Sequence, residues 1–174
     1  MASGALRVRS ANVTGALNLT TSSGSMIVDT ASAGSINFNA GTSLSLLGPI
    51  TASGDMIVRA LGNVGVNGAA VGRTIRITSG NISIGSSGRL GSVGTTTLVD
   101  LTNGDGGSRT FIGGDDTTSG YSLSATELLR VFADNIAIHA PRAQTQGGGS
   151  LGSNRPPDVV VGAFTLNGGT ASTG

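Results

Sequence analysis

Leu17-Asn-Leu19, Met26-Ile-Val28, Ile36-Asn-Phe38, Leu44-Ser-Leu46, Met56-Ile-Val58, Val64-Gly-Val66, Ile75-Arg-Ile77 and Ile82-Ser-Ile84 are eight apolar-x-apolar steps in one stretch of 68 residues, 17–84. Every second step falls on a regular spacing. Leu17, Ile36, Met56 and Ile75 lie 19, 20 and 19 residues apart, and Met26, Leu44, Val64 and Ile82 lie 18, 20 and 18 apart. Two interleaved series with one period predict a chain that coils once per about 19–20 residues and lays down two strands per turn. Within a step the outer residues face one way and the middle residue the other, as a strand of period two requires. Middle residues Asn18, Asn37, Ser45, Gly65, Arg76 and Ser83 suit a solvent face. Ile27 and Ile57 depart from that, although single exposed apolar residues are ordinary.

Working outward, Gly and Asn or Ser punctuate the steps. Antiparallel hairpins are the competing reading. They favour Asn-Gly or Asp-Gly turns between longer strands, whereas Asn67-Gly68 and Asn103-Gly104 are the main instances here and the strands are short. A coil, with each strand stacked on its counterpart one turn on, is the better fit. One echo cuts across the period: Ser23-Gly-Ser-Met-Ile-Val28 resembles Ser53-Gly-Asp-Met-Ile-Val58 at a spacing of 30. That is one and a half turns of the smaller coil, or one turn of a larger three-strand coil. The even spacing of the two series favours the first. The expected fold is all-β, a right-handed parallel β-helix of about seven to nine coils, about 35–45 Å long at ~4.8 Å per coil.

Composition agrees with an ordered solenoid. Gly is 30 of 174 residues, aromatics 3% and charged residues 11%, but apolar residues reach 37% and are periodic, unlike a disordered chain. All ten basic residues are Arg, scattered, at a net charge of +1. Nucleic-acid binding needs a clustered basic face, so it is not expected. There is no Cys, which removes disulfides, thiol catalysis and cysteine metal sites. No stretch reaches the ~18 apolar residues of a membrane span. Met1-Ala-Ser3 reads like a cloning scar on a segment cut from a longer protein.

Past Ile84 the rhythm stretches: Leu98-Val-Asp-Leu101 arrives 23 residues after Ile75, and Asn103-Gly-Asp-Gly-Gly107, the short Phe111-Ile112 pair and Gly113-Gly-Asp-Asp-Thr117 read as loop, an excursion from the coil. Ser124-Ala-Thr-Glu127 then forms a capping box, with Leu128, Leu129, Val131 and Phe132 at helix-face spacing. A short helix is expected near 125–133, with another strand as the alternative, and Ser124 and Glu127 have structural roles. Ile136-Ala-Ile138 is the next strand. The expected division is 4–140 β-helix, 141–158 a Gly/Pro-rich loop or linker, and 159–174 the last strands and a frayed tail.

Residues 120–138, Gly-Tyr-Ser-Leu-Ser-Ala-Thr-Glu-Leu-Leu-Arg-Val-Phe-Ala-Asp-Asn-Ile-Ala-Ile, resemble a segment that recurs between β-helical coils in the filamentous-haemagglutinin-like, two-partner-secreted surface adhesins of Gram-negative bacteria. The Gly54-Asp-Met-Ile-Val58 step is similar to their repeats. The resemblance covers about twenty residues in motif and most of the chain in style. The Asn-Pro-Asn motifs of that family's secretion domain are not found here, so the resemblance implies a shaft or distal piece. It also implies an extracellular, cell-surface location and an outer-membrane transporter as partner of the parent protein. The absence of Cys suits passage through such a pore unfolded.

Chemistry-bearing residues are few. His139 is the only His, ends a strand, and follows no Gly-x-Ser-x-Gly elbow. Glu127 and Arg130, three apart, read as support for a helix surface. Asp105, Asp115 and Asp116 in Gly-rich loops partly match a Ca²⁺-binding nonapeptide and are weak calcium candidates beside the simpler reading as solvated turns. One Tyr, no Trp and no Lys make a sugar-cleaving β-helix a poor match. Thr20-Thr21 and Thr95-Thr-Thr97 are not repeated in register, against an ice-binding face. The expectation is a non-enzymatic structural segment with no cofactor, a rigid stalk in adhesion. The alternative is a glycan- or protein-binding module using loops 85–119 or 140–158, with a host-cell or surface ligand. Open terminal coils carry open strand edges, so end-to-end self-association is expected unless 1–12 or 141–174 fold over the ends.

Overall fold

A computed structural model describes residues 4–104, 110–113 and 120–140, with the backbone of 159–161. The chain coils, and each full coil contributes three strands. The first coil holds β1 (Leu6–Val8), β2 (Ala11–Asn12) and β3 (Ala16–Thr21). The second holds β4 (Met26–Val28), β5 (Ala31–Ala33) and β6 (Ser35–Ala40). The third holds β7 (Leu44–Leu46), β8 (Ile50–Ala52) and β9 (Asp55–Ala60). The fourth holds β10 (Asn63–Val66), β11 (Ala69–Val71) and β12 (Thr74–Ser79). The fifth holds β13 (Asn81–Ile84), β14 (Arg89–Gly91) and β15 (Leu98–Asn103). After it come β16 (Thr110–Ile112), β17 (Tyr121–Leu123), α1 (Ala125–Leu128), β18 (Val131–Phe132), β19 (Asn135–His139) and β20 (Val159–Val161).

Like strands stack into parallel sheets. Sheet 1 runs β1-β4-β7-β10-β13, sheet 2 runs β2-β5-β8-β11-β14-β18, and sheet 3 runs β3-β6-β9-β12-β15-β19. A small fourth sheet has the order β17-β16-β20. The chain is therefore a parallel β-solenoid. Leu17, Ile36, Met56 and Ile75 are in-register partners down sheet 3, and Met26, Leu44, Val64 and Ile82 are in-register partners down sheet 1. The two periodic series are thus two faces of one coil. The Met26/Met56 echo falls on different sheets, so the coil is the smaller one.

Two features of the expected coil are corrected. There are three strands per turn, not two. The overlooked strands are short and rich in small residues (Ala31-Ser-Ala33, Ile50-Thr-Ala52, Ala69-Ala-Val71), and Ala does not stand out in an apolar count. The coil also has five full turns and part of a sixth among the described residues, fewer than seven to nine. The chain after Leu90 spends its length elsewhere: Leu90 pairs with Val131, and Val99 with Ile136. The late step Leu98–Leu101 lies on β15 and stays in the coil, and within the loops expected over 85–119 β14 is a coil strand as well. Asn67-Gly68 is no hairpin turn either, since β10 and β11 join parallel sheets.

The core is the stack of inward columns. Met26, Val28, Phe38, Leu46, Ile50, Met56, Val58, Val64, Val66, Ala70 and Ile75 are all 0% exposed. Close stacking needs glycine at the corners. A Cβ on Gly34 would lie 2.7 Å from the carbonyl oxygen of Thr14 and 3.0 Å from that of Gly15, one coil below. That atom is backbone in a hydrogen-bonded ladder and has little freedom to move aside.

Candidate functional site

The sixth coil begins differently from the other five. Where a sheet 1 strand belongs above β13, the chain instead brings β17 and the single-turn helix α1, and then re-enters sheet 2 at β18. Side chains do the hydrogen bonding that a strand would do. Ile84, on the free edge of β13, donates its N–H to Glu127 Oε1 at 2.7 Å. Its carbonyl accepts from Arg130 Nη1 at 2.8 Å. In a strand the N–H and C=O of one residue point to the same side, so Glu127 and Arg130 together replace one residue of the missing strand. Asn81 Oδ1 accepts from Ser122 N at 2.8 Å and from Ile82 N at 2.9 Å, tying β17 to the same edge.

Ser124 and Glu127 form the expected capping box. Ser124 Oγ and Ser124 N donate to Glu127 Oε2 at 2.8 and 2.9 Å, and Glu127 N returns a long bond of 3.4 Å to Ser124 Oγ. The helix is shorter than the pattern of 125–133 suggests. It ends at Leu128, and Val131–Phe132 pairs with β14. The ladder edge of sheet 2 outcompetes a second helical turn because it offers backbone partners and a buried place for Val131, 1% exposed. Glu127 does not support an exposed helix surface. It is 6% exposed, and its carboxylate is turned into the coil.

Beneath this cap lies a line of buried polar side chains. Ser79 pairs in register with Asn103, Asn103 Nδ2 donates to Thr110 Oγ1 at 3.0 Å, and Thr110 pairs in register with Tyr121. Tyr121 is fully buried, yet among the described residues its hydroxyl has no hydrogen-bond partner, and neither has Ser79 Oγ. Burial pushes the Tyr121 phenol far above the usual tyrosine range, and the nearby Glu127 and Asp100 carboxylates add to it. The unfolded chain loses this proton near the ordinary value of about 10, the folded chain only well above it. The stability from a neutral Tyr121 is therefore fully present below that ordinary value and falls as pH rises toward the folded one. Tyr121 is the only tyrosine, so its phenolate absorbance can be followed directly. The folded protein is expected to show no ionisation where free tyrosine is half ionised. Tyr121→Phe is expected to remove the tyrosine-dependent part of alkaline destabilisation. At neutral pH it should be neutral or stabilising by up to ~1 kcal/mol, because it deletes an orphan hydroxyl. A normal tyrosine titration in the folded protein would contradict the buried placement.

The outer face of sheet 3 holds the other charged cluster. Asp100 Oδ2 lies 3.6 Å from Arg76 Nε on the adjacent rung, and Asp100 Oδ1 lies 3.3 Å from His139 Nε2 at the end of β19. Arg73 pairs with Asp55 at 3.8 Å on the same side. His139 thus ends a strand as expected, and what the sequence reading missed is its carboxylate partner, 39 positions away. A paired His and Asp can hold or pass a proton, but here they lie on an open sheet face with an arginine as third member. Among the described residues no group of three or more His, Asp or Glu converges on one point, and no helix is long and apolar enough to cross a membrane. Asp105, Asp115 and Asp116 lie outside the described residues, as do the 141–158 segment and Phe164–Leu166. A shallow groove of about 270 Å³ beside β2 and β5 is lined by small polar groups such as Ser10, Asn12, Thr30 and Ser32.

Fold and geometry together define the class: a parallel β-solenoid with an inserted cap at one sheet edge. Comparison with protein families, with curated proteins and with solved structures finds no match to this chain.

Proposed function

We propose that this chain is a rigid, non-catalytic spacer, a β-solenoid segment of a large secreted bacterial surface protein that holds a distal binding region away from the cell. The observation that supports this reading is the unbroken register of three parallel ladders over five coils. Each coil is bonded to the next along all three sheets, so bending or stretching the stack must strain many hydrogen bonds at once. The likeness of residues 120–138 to adhesin repeats supports the cell-surface setting, and the lack of Cys suits secretion in an unfolded state.

A spacer should accept another coil. Duplicating residues 35–54, one full turn between the equivalent Gly34 and Gly54, is expected to lengthen each chain by about 4.8 Å in small-angle scattering. Melting should stay a single cooperative transition. Loss of cooperativity, or no change in length, would sink the spacer reading. A glycan array and pull-down on variants shortened between β14 and β15 or within 140–158 tests the binding-module alternative. Binding that disappears with either loop would replace a spacer by a recognition module.

A further inference from the structure

Two Asn-Gly pairs, Asn67-Gly68 and Asn103-Gly104, lie within the described residues, and a third, Asn167-Gly168, lies outside them. Asn-Gly is a chemically labile pair, because glycine has no side chain to keep its amide nitrogen away from the asparagine carboxamide. The fold treats the two described pairs differently.

Asn67 and Gly68 are the whole connection between β10 and β11. Asn67 is exposed. Its carboxamide lies against the bare face of Gly85, where a Cβ would meet Oδ1 at 2.5 Å. Among the described residues no hydrogen bond holds that carboxamide. The Gly68 N–H donates to the carbonyl oxygen of Leu46 at 3.2 Å, but the same oxygen accepts the Asn67 N–H at 2.8 Å, so Gly68 has the longer of two competing bonds. Asn103 is held at both of the corresponding groups. It is 2% exposed, and its Nδ2 donates to Thr110 Oγ1 at 3.0 Å. The Gly104 N–H donates to the carbonyl oxygen of Ser79 at 2.7 Å.

We propose that Asn67 is a site of spontaneous modification that converts its amide to a carboxylate, and that the fold protects Asn103 from the same reaction. The step needs only water. The Gly68 amide nitrogen gives up its proton to solvent base and attacks Asn67 Cγ. A bond from Cγ to that nitrogen forms, the Cγ–Nδ2 bond breaks, and Nδ2 leaves as ammonia with a proton taken from water. Water then opens the resulting succinimide at either carbonyl, giving aspartate or isoaspartate, with nothing oxidised or reduced. Either product adds a negative charge at neutral pH. Isoaspartate also adds a carbon to the backbone of this two-residue corner. β10 and β11 pair rung for rung with β7 and β8 on one side and with β13 and β14 on the other, so the fourth coil has no slack to absorb it. This chemistry does not depend on the spacer reading.

Incubation of the full chain in mildly alkaline buffer below its melting temperature, followed by peptide mapping in a mass spectrometer, tests it. Cleavage at arginine separates the two sites, with Asn67 in the peptide 60–73 and Asn103 in 90–109. In the folded protein Asn67 should convert on the order of tenfold faster than Asn103, since Asn103 reacts only when its coil opens. In the guanidinium-unfolded chain that packing is gone, and the two rates should agree within about threefold. Asn67→Gln should melt like the unsubstituted protein, because the side chain is exposed, and should lose the conversion at this position, because glutamine would have to close a less favourable six-membered ring. Equal rates for Asn67 and Asn103 in the folded protein overturn the proposal. So does an Asn67 that stays intact in the folded chain while it converts in the unfolded one, or a tenfold difference that persists in guanidinium.

Discussion

Glu127→Ala is expected to destabilise the protein by about 3 kcal/mol, a loss of roughly 6–12 °C in melting temperature for a chain of this size. The carboxylate accepts from Ile84 N, Ser124 N and Ser124 Oγ, all within 2.9 Å and all buried. Charge-assisted bonds of this kind are worth more than neutral ones, and alanine leaves their donors without partners. The damage should be local. The Ile84 amide should lose hydrogen-exchange protection, while amides between β3 and β6 keep theirs, because each coil of a solenoid depends on its neighbours. Glu127→Gln keeps an acceptor for Ile84 but brings an amide NH₂ against Ser124, and should cost about half as much. An alanine variant with unchanged melting and a protected Ile84 amide would mean that the cap does not carry the edge of β13.

Phe38→Ala should cost still more, about 4 kcal/mol. Phe38 is 0% exposed and sits in one inward column between Leu19 below and Val58 above. Its removal leaves a hole the size of a ring, and the hydrogen-bonded ladders on three sides prevent the coil from shrinking around it. Phe38→Leu fills most of that hole and should cost about 1–1.5 kcal/mol. The first coil should feel the loss most, since Leu17 and Leu19 already lack a neighbour below among the described residues. Thermal melting gives the magnitude, and hydrogen exchange in β1–β3 gives the location. A melting temperature within 3 °C of the unsubstituted protein would show that the columns are not packed as described.

Much of the coil was legible because its large apolar residues recur at in-register positions. The pairs Leu17–Ile36–Met56–Ile75 and Met26–Leu44–Val64–Ile82 could be read without coordinates. Sheet 2 escaped notice because its inward positions are mostly alanine, and Ala carries little of the hydrophobic signal that marks a strand. The capping box at Ser124 was legible for the opposite reason, since its two partners lie three residues apart and need no tertiary structure. The second partner of the same carboxylate, Ile84, lies 43 residues away, and no local pattern announces it. The same holds for Asp100 between Arg76 and His139.

What the amino-acid order determined by itself is the period, the parallel stacking and the capped turn, because these follow from spacing and from contacts between near neighbours. What only the tertiary structure decided is the third strand of each coil, the number of coils, and the use of Glu127 and Arg130 as a substitute rung. Those depend on which distant edge is left unpaired when the chain departs from the coil. Buried backbone groups must find partners, and at β13 these were the side chains of Glu127, in a helix one turn long, and of Arg130 just after it.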